Sequence, residues 1–163
     1  MDIISAGWRM AYIEREDDGT CIFCTKPECE SDEDIFIVRR GEHSYVIMNL
    51  YPYTTGHLMV APYRHVGKVC DLDAEEACEL MQLVAWSEKV LRHALKPDGF
   101  NIGMNVGRCA GAGYPKHIHV HIVPRWEGDS NFMPVVSETK VLPETLADTY
   151  AKIKRAEADL MRT

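Results

Sequence analysis

Three of the seven histidines in this 163-residue chain stand at alternate positions in KHIHVHIVPRW, residues 116 to 126. His117, His119 and His121 are separated by Ile118 and Val120, and Ile122 continues the apolar set. Side chains along a β-strand alternate between its two faces. The spelling therefore predicts a strand over 116–123 with three imidazoles on one face and an apolar row turned to a core. Neighbouring rings would lie roughly 7 Å apart by the strand rise. An unperturbed imidazole titrates near about 6.5, so each ring can be neutral or charged near neutral pH.

Three readings of the row compete. It can be the polar face of a half-exposed strand. It can be a metal site, although alternate rings on one straight strand splay rather than converge on a tetrahedral ion. Or it can be catalytic, with one neutral imidazole as nucleophile and a neighbour protonated against phosphate charge. The flanks favour the third. GRCAGAGYPK, residues 107–116, supplies glycines whose backbone N–H groups can line an anion site, and Arg125 follows as a phosphate partner. A plain hairpin connection is the alternative for that loop.

The formal charge of −7 argues against a general nucleic-acid binder, which is usually basic. No stretch approaches the roughly 20 apolar residues of a membrane helix. MDIISAGWRMAYIERED lacks the charged start and long apolar run of a signal peptide, so the expected compartment is the cytoplasm. Six cysteines at 21, 24, 29, 70, 78 and 109 are spaced too unevenly for a disulfide framework. The close pair Cys21 and Cys24, in CIFC, reads instead as a metal or redox site, with a metal-free thiol pair as the remaining option.

Nothing divides the chain, so residues 1–163 are expected to form a single domain. A short helix near Trp8 to Glu14 is followed by an irregular segment holding CIFC and the acidic loop ECESDED. DIFIVRRG and HSYVIMNL predict a hairpin around Gly41-Glu42, and GHLMVAPY a third strand. Between Asp73 and Leu95 the period changes: Ala77, Leu80, Val84, Leu91 and Leu95 mark one helical face, opened by the capping-box pair Asp73 and Glu76. FNIGMNVG predicts a further strand, and a C-terminal helix is expected over about 143–162. Adjacent strands with short links, interrupted by helices, predict an α+β fold on an antiparallel sheet.

HIHVHIV fits at every position the pattern of the histidine triad family, which the chain resembles. GHLMVAP is similar to the family's upstream strand, and Asn49 stands eight residues before His57 as in the fragile-histidine-triad branch. The resemblance runs from about Cys21 to Trp126, about two-thirds of the chain. It implies a five-stranded antiparallel sheet packed with helices, paired as a homodimer. It also implies nucleotide hydrolase or nucleotidyl-transferase activity through a covalent nucleotidyl-histidine, formed here on His119. His121 and His57 would sit at the same phosphate, Asn49 at the ribose, and Asn105, Gly111, Gly113 and Arg125 near the phosphate chain. Many relatives carry a polar side chain just before the triad, where this chain has Gly113, Tyr114 and Pro115; this bears on the leaving group.

Some histidine triad proteins bind zinc through a cysteine pair, a histidine after the upstream strand and the first triad histidine. The resemblance transfers that set to Cys21, Cys24, His65 and His117, a closed structural site whose cysteines come from an N-terminal knuckle-like segment of about 15–33. The segment PRWEGDSNFMPVVSETKVLPETL is similar to that of microbial members that cleave diadenosine polyphosphates, including phosphorylases. Trp126 and Phe132 would there stack on a base or serve as core or dimer contacts. The expected activity is thus cleavage of dinucleoside polyphosphates, by water or by phosphate. A nucleoside phosphoramidase is the second enzymatic reading. A low-turnover nucleotide-binding protein and a zinc-dependent interaction module are the non-enzymatic ones.

Overall fold

The structure, a computed structural model, describes residues 20–129 and 143–162. The expected helix near Trp8 to Glu14, the first residues of the 15–33 segment and Phe132 lie outside the described residues. Five strands form one sheet: β1 (Ile37–Arg40), β2 (Ser44–Met48), β3 (Leu58–Pro62), β4 (Gly99–Gly103) and β5 (Val120–Arg125). Their spatial order is β1-β2-β3-β5-β4, with every neighbouring pair antiparallel. This is the α+β architecture that the sequence predicts. Two single-turn helices, α1 (Ile22–Thr25) and α2 (Asp32–Ile35), precede the sheet, and α3 (Ala74–Leu95) and α4 (Leu146–Leu160) are the long ones.

Strand alternation divides the sheet into two faces. Val46 and Met48 of β2, Leu58 and Val60 of β3, and Val120 and Ile122 of β5 pack with Leu80, Leu83, Val84 and Leu91 of α3 and Ile153 of α4. Burying each such aliphatic side chain contributes about 1.5–3 kcal/mol before entropy is counted. The opposite residues Ile37, Tyr45, Ile47, Met59 and Ala61 form a second cluster with Phe23 of α1. The helices thus cover one face, and the cysteine-bearing segment covers the other, on which the histidines emerge.

The helix α3 begins as its sequence dictates. Asp73 accepts the Glu76 N–H at 2.8 Å, and Glu76 accepts the Asp73 N–H at 3.0 Å, a reciprocal capping box. Its buried stripe is wider than the expected face, since Leu83, Ser87 and Val90 are buried as well. At the far edge of the sheet, the register of β1 shifts between Ile37 and Arg39. The carbonyls of Ile37 and Val38 there accept from the Tyr150 hydroxyl at 3.0 Å and the Lys154 ammonium at 2.9 Å. Helix α4 therefore satisfies polar groups that the bulge takes out of the ladder.

Three local expectations are corrected. The acidic stretch after Cys29 is a helical turn rather than a loop. Ser31 caps it by accepting the Asp34 N–H, and three acidic residues complement the positive helix start. The fourth strand stops at Gly103. The fifth begins at Val120, so His117 and His119 precede it. The Ile118 N–H goes to the Val66 carbonyl at 2.7 Å, in the loop beyond β3, and ladder pairing with β3 ends at Val60 opposite Val120. The alternation survives without the ladder: Ile118 is buried at 3% exposure, and both histidines still turn to the second face.

Glu76 yields a test of this scaffold. Arg64 reaches both its carboxylate oxygens, at 2.7 and 2.5 Å. Chiefly through that pairing the carboxyl is held down at about 2 against an ordinary 4.5. A depressed carboxyl stabilises the fold fully above pH 4.5, and that contribution is lost as pH falls toward 2. Urea titrations of wild type and Glu76→Gln should show a constant stability gap at neutral pH that closes in acid. A gap independent of pH would refute the ion-pair account.

Candidate functional site

The second face carries two constellations, one at each end of the histidine row. At the first, Cys21, Cys24, His65 and His117 bring their ligating atoms within 4.8 Å of one another. The Cys21 sulfur lies 3.4 Å from His117 Nδ1, and the Cys24 sulfur 3.2 Å from His65 Nδ1 and 3.5 Å from His117 Nδ1. The two Nδ1 atoms are 3.3 Å apart. A tetrahedral zinc with Zn–S near 2.3 Å and Zn–N near 2.0–2.1 Å sets its ligand atoms about 3.3–3.8 Å apart. The four groups fit such an ion in type, number and spacing.

Their protonation fits as well. His117 Nε2 donates to the Pro62 carbonyl at 2.8 Å, which leaves the lone pair on Nδ1, the atom facing the other three groups. Burial, the largest influence, pushes His117 down to about 4, so the ring is neutral. Burial and then the neighbouring Cys21 push the Cys24 thiol up to about 11. A central divalent cation would invert that tendency, because a coordinating thiol deprotonates outright. The local backbone supports the metal reading over the redox one. A single turn opens at Cys21, whose carbonyl accepts the N–H groups of Cys24 and Thr25, and a 3-10 turn follows rather than a βαβ unit.

At the other end, His57 is fully buried immediately before β3 and faces β5. Gly56 precedes it with φ +79°, and a Cβ there would meet Leu91 and Leu95 of α3. His57 Nδ1 accepts the Tyr53 N–H at 3.1 Å, with the Asn49 side-chain nitrogen 3.3 Å away. The proton of neutral His57 is therefore on Nε2, which lies 3.0 Å from His121 Nδ1. His57 donates and His121 accepts, which leaves the proton of neutral His121 on its own Nε2.

His119 sits between the two constellations. Its Nδ1–H donates to the His117 carbonyl at 3.0 Å, so the lone pair is on Nε2. Burial lowers its pKa and keeps the ring neutral. Its ring stacks on Phe23, with centroids 4.5 Å apart and planes at 25°, and meets the His121 ring edge-on at 4.8 Å. The spacing between these rings is shorter than the strand rise alone implies. A neutral imidazole with a directed Nε2 lone pair, beside a second imidazole that donates from Nε2, can attack phosphorus and handle the resulting charge.

The remaining sequence-predicted residues are placed as follows. Asn49 turns its Oδ1 to the Tyr51 N–H at 2.9 Å, closing a turn while its nitrogen supports His57. Gly111 has φ +89° and caps the turn over Arg108–Ala110, after which the Ala112 N–H returns to the Gly107 carbonyl at 3.2 Å. Gly113 and Asn105 lie in the same connection between β4 and β5, Asn105 two residues past the Gly103 that pairs with His121. Tyr114 packs its ring edge-to-face on Phe23 at 5.7 Å. Arg125 is not brought to the histidines. Its guanidinium holds both Asp129 oxygens, at 2.5 and 2.7 Å, and Asn101 Oδ1 at 2.7 Å. Four residues along β5 from His121 also means about 13 Å of separation. Trp126 follows β5, with its N–H on Asp129 at 3.2 Å. Sequence reasoning missed Phe23 and Tyr53; the one available signal was an apolar residue enclosed by the two cysteines of CIFC.

The HIT domain model matches residues 30–128. The chain is 46% identical over 119 residues to AP-4-A phosphorylase of Mycobacterium tuberculosis (strain ATCC 25618 / H37Rv), which covers 73% of this chain and 61% of that protein. It therefore spans about three-fifths of the length of that relative. Among solved structures, a hypothetical histidine triad nucleotide-binding protein from Sulfolobus tokodaii strain7 superposes with TM-score 0.68 at 30% identity, covering 87% of this chain and 95% of the other. A Zn-bound histidine triad family protein from Mycobacterium smegmatis gives TM-score 0.71 at 23% identity, covering 88% and 97%, a likeness of fold.

The hydrogen bonds of the row predict tautomers that can be observed directly. In nitrogen-15 spectra of the imidazoles at pH 7, His119 is expected neutral with its proton on Nδ1, and His57 with its proton on Nε2. A protonated His119 at that pH would refute the assignment.

Proposed function

The chain belongs to the HIT domain family, and from that premise we propose that it cleaves dinucleoside polyphosphates at an α-phosphorus through a nucleotidyl-His119 intermediate. The observation that carries the reading is the Nδ1 bond of His119 to the His117 carbonyl, which directs the Nε2 lone pair outward beside the His57–His121 pair. Nε2 attacks the α-phosphorus; the P–N bond forms as the bond to the bridging oxygen breaks and the polyphosphate nucleotide leaves. His121 donates to the phosphate oxygens, and His57 fixes the orientation of that donor. Such a reaction depends chiefly on positioning and on stabilising charge at the equatorial oxygens. Backbone N–H groups of 107–113, including Gly111 and Gly113, with Asn105, are the further donors. Asn49 would meet the ribose and Trp126 a base.

In the second step an oxygen of inorganic phosphate attacks the same phosphorus, the P–N bond breaks, and His119 is regenerated. Diadenosine tetraphosphate then gives ATP in the first step and ADP in the second. Phosphate rather than water as acceptor is favoured by the 46% identity to AP-4-A phosphorylase. We assign Arg125 no phosphate contact, because Asp129 and Asn101 hold its guanidinium. Zinc would be held by Cys21, Cys24, His65 and His117, with four protein ligands and a structural role. The expected homodimer has a candidate edge in β4, whose Asn101, Ile102 and Gly103 are exposed.

Incubation with diadenosine tetraphosphate is expected to yield ADP and ATP only when phosphate is present, resolved by mass spectrometry. AMP and ATP without phosphate would make the acceptor water. Cleavage confined to nucleoside phosphoramidates would overturn the substrate class. His119→Ala should abolish turnover while leaving the circular dichroism spectrum unchanged; near-wild-type activity would sink the intermediate. Elemental analysis should find about one zinc per chain, and stoichiometric metal persisting in Cys21→Ser would overturn the ligand set.

A further inference from the structure

We propose that Phe23 is a positioning residue: its ring fixes the plane of the His119 imidazole, and occupation of the Cys21–Cys24–His65–His117 site holds Phe23 in place. The inference rests on the reading of His119 as nucleophile. Phe23 is 2% exposed and lies between the two cysteines of CIFC. Its ring stacks on His119 at 4.5 Å and 25°, leans on His117 at 5.3 Å, and takes the edge of Tyr114 at 5.7 Å. One aromatic side chain thus touches the ligand histidine and the nucleophile together.

The hydrogen bond from His119 Nδ1 to the His117 carbonyl fixes one atom of the ring. Rotation about that contact would still swing Nε2 off the line of attack. A flat neighbour stacked on the ring removes this freedom. Phe23, in turn, sits on a helix of four residues, too short to hold itself. Beyond its apolar packing on the sheet, two directed restraints secure that turn. The Tyr45 hydroxyl donates to the Phe23 carbonyl at 2.8 Å, and the cysteines on either side converge on His65 and His117. An ion at the second restraint would tie α1 to the loops after β3 and before β5. Its release would leave the aromatic plate held by its apolar packing and by the Tyr45 hydroxyl, without the tie on either side of it.

The stack has a signature independent of catalysis. Phe23 should displace the His119 ring-proton resonances upfield through its ring current. In zinc-loaded protein that displacement is expected in wild type and Phe23→Tyr, and lost in Phe23→Leu with zinc content unchanged. Chelation of wild type should also remove it. Resonances of His119 that ignore either Phe23→Leu or chelation would overturn the proposal. In turnover of diadenosine tetraphosphate, Phe23→Leu should lower kcat by about tenfold to a hundredfold with little change in KM. Phe23→Tyr should restore it, and a wild-type kcat in Phe23→Leu would also refute the role. Should Phe23→Leu fail to fold by circular dichroism, Phe23→Met provides the same comparison with a longer, more adaptable apolar chain. Absence of turnover in wild type would defeat the functional reading alone, since the resonance test decides the stack without it.

Discussion

The antiparallel pairing of β3 with β5 is the constraint on which both halves of the site depend. Leu58 faces Ile122, Met59 faces His121 and Val60 faces Val120. That register sets His57, just before β3, beside His121, and sets the loop after β3, with His65, beside His117. The last residue of β3, Pro62, gives its carbonyl to His117 Nε2 at 2.8 Å. A slip of one residue would turn the histidines into the helix-packed core and Val120 and Ile122 onto the site face. The apolar row therefore does more than fill the core: its burial against α3 and α4 holds the register that assembles both constellations.

Three histidines of the same type, two residues apart, are made chemically different by one hydrogen bond each. His117 donates from Nε2 to a carbonyl and presents Nδ1 to the cysteines. His119 donates from Nδ1 to a carbonyl and presents Nε2. His121 accepts at Nδ1 from His57. Backbone carbonyls and a buried imidazole, rather than side-chain charges, thus select which nitrogen carries each proton. Burial acts in the same direction on His117 and His119, lowering both pKa values and keeping lone pairs available for a metal or for phosphorus.

How much of this was legible in the sequence depends on how local the cause is. The α3 start was readable because the capping box spans four adjacent residues, and the hairpin and sheet class followed from period-two runs. The alternation of the triad survives, but the strand assignment over 116–119 does not. Ile118 gives its N–H to Val66, some fifty residues earlier, a partner no local pattern announces. The sequence offers Arg125 as a phosphate partner, yet the acidic Asp129 four residues on takes its Nε and Nη2 while Asn101 takes Nη1. That pairing needs the turn after β5, through which Trp126 also donates to Asp129. Asn49, which the resemblance places at a ribose, serves the turn before β3 and supports His57, partners that only the fold brings to it.

Phe23 was invisible for a different reason. Its value lies in what it bridges, and both partners are about ninety residues away in the chain. The four-residue turn that carries it forms a second wall over the sheet through its apolar packing on Ile37, Ile47 and Met59, with Tyr45 and the cysteine pair holding it from the sides. On this reading a set of groups suited to a structural metal stands next to the proposed nucleophile without sharing its chemistry. An imidazole nucleophile needs its lone pair uncoordinated, so a metal that helps it must act through something else. Here His117 spends its Nδ1 on the cluster while its carbonyl holds the His119 proton, and Phe23 lies against both rings. A metal at the cysteine end of the row would therefore order the proposed nucleophile through a carbonyl and an aromatic face while leaving its Nε2 untouched.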